Sequence, residues 1–307
     1  MTTPLVHRDR TAAVLAGLLV LLAGGITAAT IAGPLVLDRL VYRTSDTTLH
    51  QVVGGDLAGL VVVVPVALVA ATLVWRGHPL APVLALGPGL WAVYVYLQLI
   101  VGQEHLDLPG NSERFFPLLL GVFVLGGAVA VLAWSLSAVA DPSPPGRRLE
   151  RTTGIVLLVL ASFLVVGLHL PTLLDAMGDD PTSLEYTSSP TAFWIVKVMD
   201  LGIIVPAAIA TGVGLLLGAA GARRPARALL VAYALLSASV TGMAVVMLVH
   251  DDPDGSIVDV VAFGTFTLVV GALAWRMVRP GPDERPATSD HPTADRTTVP
   301  VTLEGRR

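Results

Sequence analysis

Cysteine is absent from this chain of 307 residues, and lysine occurs once, at position 197. Without thiols the protein has no disulfides, no thiolate metal sites and no thiol redox chemistry. Charge is scarce too. Asp, Glu, Lys and Arg make up 14% of the residues, against about 25% in an ordinary soluble domain. No Walker loop, dinucleotide fingerprint or His-Glu-x-x-His is found, and no soluble stretch is long enough to fold alone. These absences remove ATP-driven pumping by this chain and the common helical zinc hydrolases. The basic set is almost entirely arginine and is split between loops, which gives no nucleic-acid footprint. A midplane relay of acidic residues, expected of proton-coupled carriers, is missing as well.

What is present is apolar: 54% of the residues are hydrophobic. So few polar groups cannot cover a surface in water, and lipid must be the solvent over much of it. A membrane helix needs about 20 mostly apolar residues. Eight stretches qualify: 11–36, 57–75, 80–102, 116–138, 153–174, 192–219, 228–249 and 257–278. The runs are too long for strands and do not alternate with period two. Pro65, Pro88 and Pro206 fall inside spans, where neighbouring groups can satisfy the freed carbonyls.

With the N-terminus in the cytoplasm, 15 of the 19 basic residues lie inside, and the outer loops keep Arg39, Arg43, Arg114 and Lys197. The positive-inside rule selects this orientation, with both termini cytoplasmic, in a bacterial plasma membrane. The outer loops are acidic. The first span, preceded by Arg8 and Arg10, is read as a retained helix and not a signal peptide, because it has a counterpart later in the chain.

That counterpart belongs to an internal duplication. Gly33-Pro34-Leu35-Val36-Leu37-Asp38 parallels Leu170-Pro171-Thr172-Leu173-Leu174-Asp175. Tyr42, Thr44 and Ser45 precede Asp56-Leu57, as Tyr186, Thr187 and Ser188 precede Asp200-Leu201. Pro65 and Pro206 follow, then basic loops with proline, and spans four and eight end in Leu-Ala-Trp. The expected fold is all-α integral membrane: eight transmembrane helices as two parallel four-helix repeats. An even number of helices per unit makes the repeats parallel, related by a pseudo-two-fold axis along the membrane normal. The expected organisation is a cytoplasmic N-terminus (1–10), a first unit (11–138), a cytoplasmic linker (139–152), a second unit (153–278) and a disordered cytoplasmic tail (279–307).

Asp200-Leu201-Gly202-Ile203-Ile204-Val205-Pro206, with Gly212 and Arg223 beyond, resembles a helix found in a group of uncharacterised bacterial multipass membrane proteins. The likeness covers mainly 186–250 and more weakly 42–102, where Ala58 separates Leu57 from Gly59. It implies an all-helical membrane fold and carries no activity.

Several residues are candidates for chemistry. Asp56 and Asp200 recur in both halves. Each is expected at the outer start of its helix, where a carboxylate suits the positive dipole end or holds a ligand, ion or proton. Lys197 lies one turn from Asp200 on the same face, as an ion-pair partner or a side chain snorkelling to the headgroups. His50, His105, His169 and His250 fall near the outer face. His169 and His250, with Asp251 and Asp252, form the candidate metal set, because a borderline metal takes imidazole and carboxylate together. Their spacing lacks any i,i+3 or i,i+4 pair. Tyr94 and Gln98, four apart in the third span, either line a cavity or pack against the seventh. Gly55-x-x-x-Gly59 and Gly214-x-x-x-Gly218 read as close helix packing.

The leading expectation is a non-enzymatic protein that binds or passes a small or lipid-like molecule, or supports a membrane complex. Its partners are the bilayer and a membrane protein or second copy of the chain. No cofactor is expected. One alternative is a transporter with its site between the repeats near Asp56 and Asp200. The other is an outer-face metal-dependent enzyme built on His169, His250 and neighbouring carboxylates.

Overall fold

A computed structural model describes residues 4–138 and 145–278. The expected tail and the first part of the expected linker lie outside the described residues. Among those described there is no strand, and eight helices are long and apolar enough to cross a membrane: α1 (Arg10–Ala32), α2 (Asp46–Trp75), α3 (Ala81–Val101), α4 (Ser112–Ser137), α5 (Arg147–Ala176), α6 (Pro190–Leu217), α7 (Ala220–Val249) and α8 (Ile257–Val278). The loops alternate between an arginine-rich end and an acidic end.

Four helices begin well before the apolar stretch that marks them. α2 starts at Asp46 where hydropathy sets in near residue 57, with Ser45 accepting from the Thr48 N–H as its N-cap. α5 starts at Arg147, inside the expected linker. Its Arg-Arg-Leu-Glu-Arg opening is polar yet made of good helix formers. The buried Glu150 takes Arg223 Nε at 2.6 Å and Arg147 at 3.3 Å. Hydropathy finds where a helix is lipid-like, not where it begins.

Three π turns interrupt the spans: Gly59–Val63 in α2, Phe163–His169 in α5 and Asp200–Ile204 in α6. Each lies just before a proline, Pro65, Pro171 and Pro206. Proline has no N–H and its ring clashes with the carbonyl four residues back. Residues 61, 167 and 202 occupy that position, and each lies in its π turn. The widened turn is the local accommodation.

α1 packs on α2 and on α4, and α3 on α2 and α4; α5 packs on α6 and α7 on α8. The buried apolar side chains accordingly fall in two clusters. The first comes from α1–α4 with Ala228 and Leu235 of α7, the second from α5–α8 with Val83 of α3. Across the halves, α7 lies against α2 and α3. A Cβ on Gly54 would stand 2.4 Å from the Met243 Cα, and one on Gly242 would stand 2.5 Å from the Gly54 carbonyl oxygen. Only glycine permits that approach, the same small-residue logic that joins helices in lipid generally. The belt is studded with exposed Val14, Leu21, Val61, Val131 and Val159, and Trp75, Trp134 and Trp275 are exposed near the arginine end, as an interfacial aromatic girdle requires.

Arginines close the arginine end by binding helix carbonyls. Arg147 donates to the Leu215 and Leu216 carbonyls where α6 stops at the left-handed Gly218, and the buried Arg227 donates to the Met277 carbonyl. These contacts satisfy C-terminal carbonyls and complement the dipole. At the acidic end, all four loops are tied together. Ser45 meets Ser189, Glu104 caps the start of α6 through the Thr191 N–H and hydroxyl at 2.7 Å each, Arg43 bonds Glu113, and His50 bonds Asp252.

Candidate functional site

Asp56 and Asp200 do not cap their helices. Each stands ten residues past the first residue of its span (Asp46 and Pro190), which is about 15 Å along the axis. The N-terminal dipole therefore does not account for either, contrary to the sequence expectation. α2 runs on past its apolar core by nearly three turns, which carries Asp56 inward, while α6 opens at Pro190, two residues before the expected span, so Asp200 lies well within it.

Asp200 opens the π turn of α6. Its Oδ1 accepts from the Tyr94 hydroxyl at 2.7 Å, and its Oδ2 lies 2.8 Å from His169 Nε2. His169 closes the π turn of α5 and is 2% exposed, with Nδ1 buried and without a partner. Asp56 is 6% exposed. Thr30 donates to its Oδ1 at 3.4 Å, a long bond, and Oδ2 has no partner. A Cβ on Gly33 would come within 3.3 Å of that oxygen. In each half, then, a side chain from the first helix reaches the aspartate of the second: Thr30 to Asp56, His169 to Asp200. Near Asp56, the Tyr42 hydroxyl is buried and unpartnered. Burial, with Asp56 and Tyr96 beside it, holds the Tyr42 phenol well above the usual tyrosine range.

Two cavities meet here. The first, of about 580 Å³, is lined almost wholly by apolar side chains of α5, α7 and α8, with Tyr94, Gln98, Asp200 and Ser239 on its wall. It lies where α5 and α8 barely touch. Its rim residues Val159, Phe163 and Val269 are exposed on the lipid-facing belt. The second, of about 380 Å³, is the more polar of the two and reaches the acidic end. Tyr42, Gln51, Asp56, Gln103, His169 and Asp254 are among its lining. Tyr94, Gln98 and Asp200 line both. The other side of α3 packs: Trp91 is buried and donates to the Ser239 hydroxyl of α7 at 2.8 Å.

Lys197 is not drawn to Asp200. It is 4% exposed, binds both Glu185 carboxylate oxygens at 3.1 and 3.2 Å, and lies over the Phe193 ring at 4.2 Å. Glu185 sits twelve residues earlier in a short helix, Leu184–Ser188, and no local spacing announces it.

The histidines separate by partner. His169 belongs to the Asp200 cluster. His250 stacks on His50, with centroids 4.7 Å apart at 28°, and its Nδ1 bonds the Val246 carbonyl. His50 Nδ1 is 2.7 Å from Asp252, which also accepts from Thr47 and the Asp254 N–H. Asp251 holds a left-handed conformation, φ 52°, in the turn between α7 and α8. Among the described residues, no three His, Asp or Glu side chains gather closely enough to hold a metal ion. Sequence reasoning passed over Gln103 and Asp254 as cavity residues and Thr30 as the partner of Asp56; the signal for Thr30 was a hydroxyl, with Thr27, within an otherwise apolar span.

No protein-family model, curated protein or solved structure matches the chain.

Proposed function

We propose that this polytopic membrane protein binds an amphipathic, lipid-like molecule, with the apolar part in the cavity between α5, α7 and α8 and the polar part in the adjoining cavity, beyond the wall of Tyr94, Gln98 and Asp200. The observation that carries this reading is the shared wall. An apolar cavity open toward the lipid belt and a more polar one reaching the acidic end share a wall whose polar members are Tyr94, Gln98 and Asp200. Concave, mostly apolar pockets with a few convergent polar groups are what ligand sites look like. The acidic end is the outer face of a bacterial plasma membrane in this reading, and the termini are cytoplasmic.

The chain is further read as two parallel four-helix units. The matching pairs α1–α2 with α5–α6 and α3–α4 with α7–α8 support this, as does the placement of Asp56 and Asp200 ten residues into equivalent spans. Because the polar cavity is lined by both aspartates, one from each unit, passage of the ligand between lipid and the outer side is favoured over static storage.

The test is direct. Protein in phosphatidylcholine nanodiscs is titrated with single-chain amphiphiles, with Ala262→Trp as the variant. Ala262 is an exposed residue on the rim of the apolar cavity, so an indole there fills the mouth without disturbing the core. Binding that is present in the unmodified protein and lost in A262W supports the site. Equal binding in both removes it.

A further inference from the structure

The polar cavity has an uneven charge inventory. Asp56, Glu185, Asp200, Asp254 and Asp259 line it, and the sole basic lining group is His169; no arginine or lysine does so. Four of its buried polar atoms have no partner: Asp56 Oδ2, the Tyr42 and Thr44 hydroxyls and His169 Nδ1. Glu185 is answered by Lys197, and Asp200 by Tyr94 and His169. Asp56 has only the distant Thr30 hydroxyl. A carboxylate inside a membrane span without a counter-charge is strongly unfavourable until a cation or a proton neutralises it. The phenol rings of Tyr42 and Tyr94 also line the space, and aromatic faces attract ammonium groups.

We propose that the molecule bound is a cationic amphipath, an alkyl chain with an ammonium head, and that Asp56 is its counterion. This rests on the amphipath reading above and narrows it. The alkyl chain takes the apolar cavity. The head passes the shared wall of Tyr94 and Gln98 into the polar one, where Asp56 Oδ2 gains the charged partner that the fold withholds. An anionic head would meet five carboxyl groups there and is selected against.

The experiment compares three probes of one chain length in phosphatidylcholine nanodiscs, with empty nanodiscs subtracted: dodecyltrimethylammonium, dodecanol and dodecanoate. The cation is expected to bind at least about tenfold more tightly than dodecanoate. In Asp56→Asn the cation should fall to the affinity of dodecanol, whose own binding stays unchanged. Asp56→Glu should keep the preference. If none of the three binds, the amphipath site itself is wrong. If all three bind alike, or dodecanoate binds best, the cationic inference is overturned while the amphipath reading stands. If D56N retains the cation preference, Asp56 is not the counterion. Should D56N not fold, the probe series on the unmodified protein and on D56E still decides the question of charge.

Discussion

The Ser45 Oγ lies 2.9 Å from the Ser189 Oγ. Both residues are N-caps, of α2 and α6 respectively, and each gives its carbonyl to the amide four residues on, Leu49 and Phe193. They are 144 positions apart, the same offset as Asp56 and Asp200. Ser45 also donates to Ser188 at 3.2 Å, the residue that parallels it in the sequence motif. Contact between matching residues is what the proposed parallel duplication would place at its axis.

That contact can be trapped. The chain has no cysteine, so the double variant S45C/S189C carries the only thiols. Neighbouring side chains at this separation suit a disulfide, whose Cβ atoms lie about 3.8 Å apart. Mild oxidation should give a monomeric species that resists maleimide labelling until reduced. Thiols that stay fully reactive after oxidation would mean that the two helix starts do not meet.

Lys197 and Glu185 should respond unequally to mutation. Lys197 is buried and Glu185 is 39% exposed at its side chain. Glu185→Gln leaves a buried ammonium without its counter-charge. Breaking a fully buried pair costs about 3–5 kcal/mol, and the exposed carboxylate reduces this to roughly 1–3 kcal/mol. Lys197→Met removes the buried charge and leaves an exposed carboxylate in contact with solvent, so its effect should be under about 1 kcal/mol. Thermal unfolding of the two variants gives the comparison. Equal losses would show that the ion pair is not what holds the α6 entrance.

The acidic end should be sensitive to pH in two opposite ways. Burial raises the Asp252 carboxyl, but hydrogen bonds from His50, the Asp254 N–H and Thr47 outweigh it and hold it below the usual aspartate range. A depressed folded value contributes stability above the unfolded value of about 4 and loses it as pH falls through the folded one. Asp254 is raised, by burial and then by the nearby Asp252 and Glu185 charges. Its contribution is present below about 4 and disappears as pH rises through the raised value. At neutral pH, D252N should lower the unfolding temperature and D254N should raise it, and both differences should shrink toward pH 3. Parallel shifts of the same sign would contradict this assignment.

The spans and their number were legible from hydropathy because lipid solvation imposes long apolar runs. The helix start of α2 was not, since residues 46–55 include polar ones that hydropathy scores as loop, and this put Asp56 at the surface. The start of α6 was legible to within two residues, yet Asp200 was still set at the boundary because the span was counted back from its arginine end. Tyr94 and Gln98 were legible as one face from their spacing of four. The partner of Lys197 was not, because Glu185 reaches it from a separate short helix. The cavity itself arises from the loose seam between α5 and α8, a relation between helices that no single stretch of sequence encodes.

Pro206 ties the local sequence to the site. The π turn at Asp200–Ile204 contains one more residue than a regular turn and precedes this proline. Pro206→Ala restores an N–H and removes the ring clash, which allows α6 to become regular there. Dropping one residue from the turn rotates everything before it by about 100°, so Asp200 would swing away from Tyr94 and His169. Alanine is also the better helix former, by about 3 kcal/mol in a helix interior, which offsets the loss of the Lys197–Glu185 and Thr191–Glu104 contacts that the same rotation displaces, so P206A should leave the unfolding temperature nearly unchanged. It should nevertheless weaken binding of dodecyl amphiphiles by about tenfold, as should Asp200→Asn. A variant that melts as the unmodified protein does and yet fails to bind would separate the site's geometry from the fold's stability. If P206A binds unchanged, the π turn is held by packing around α6 and not by the proline.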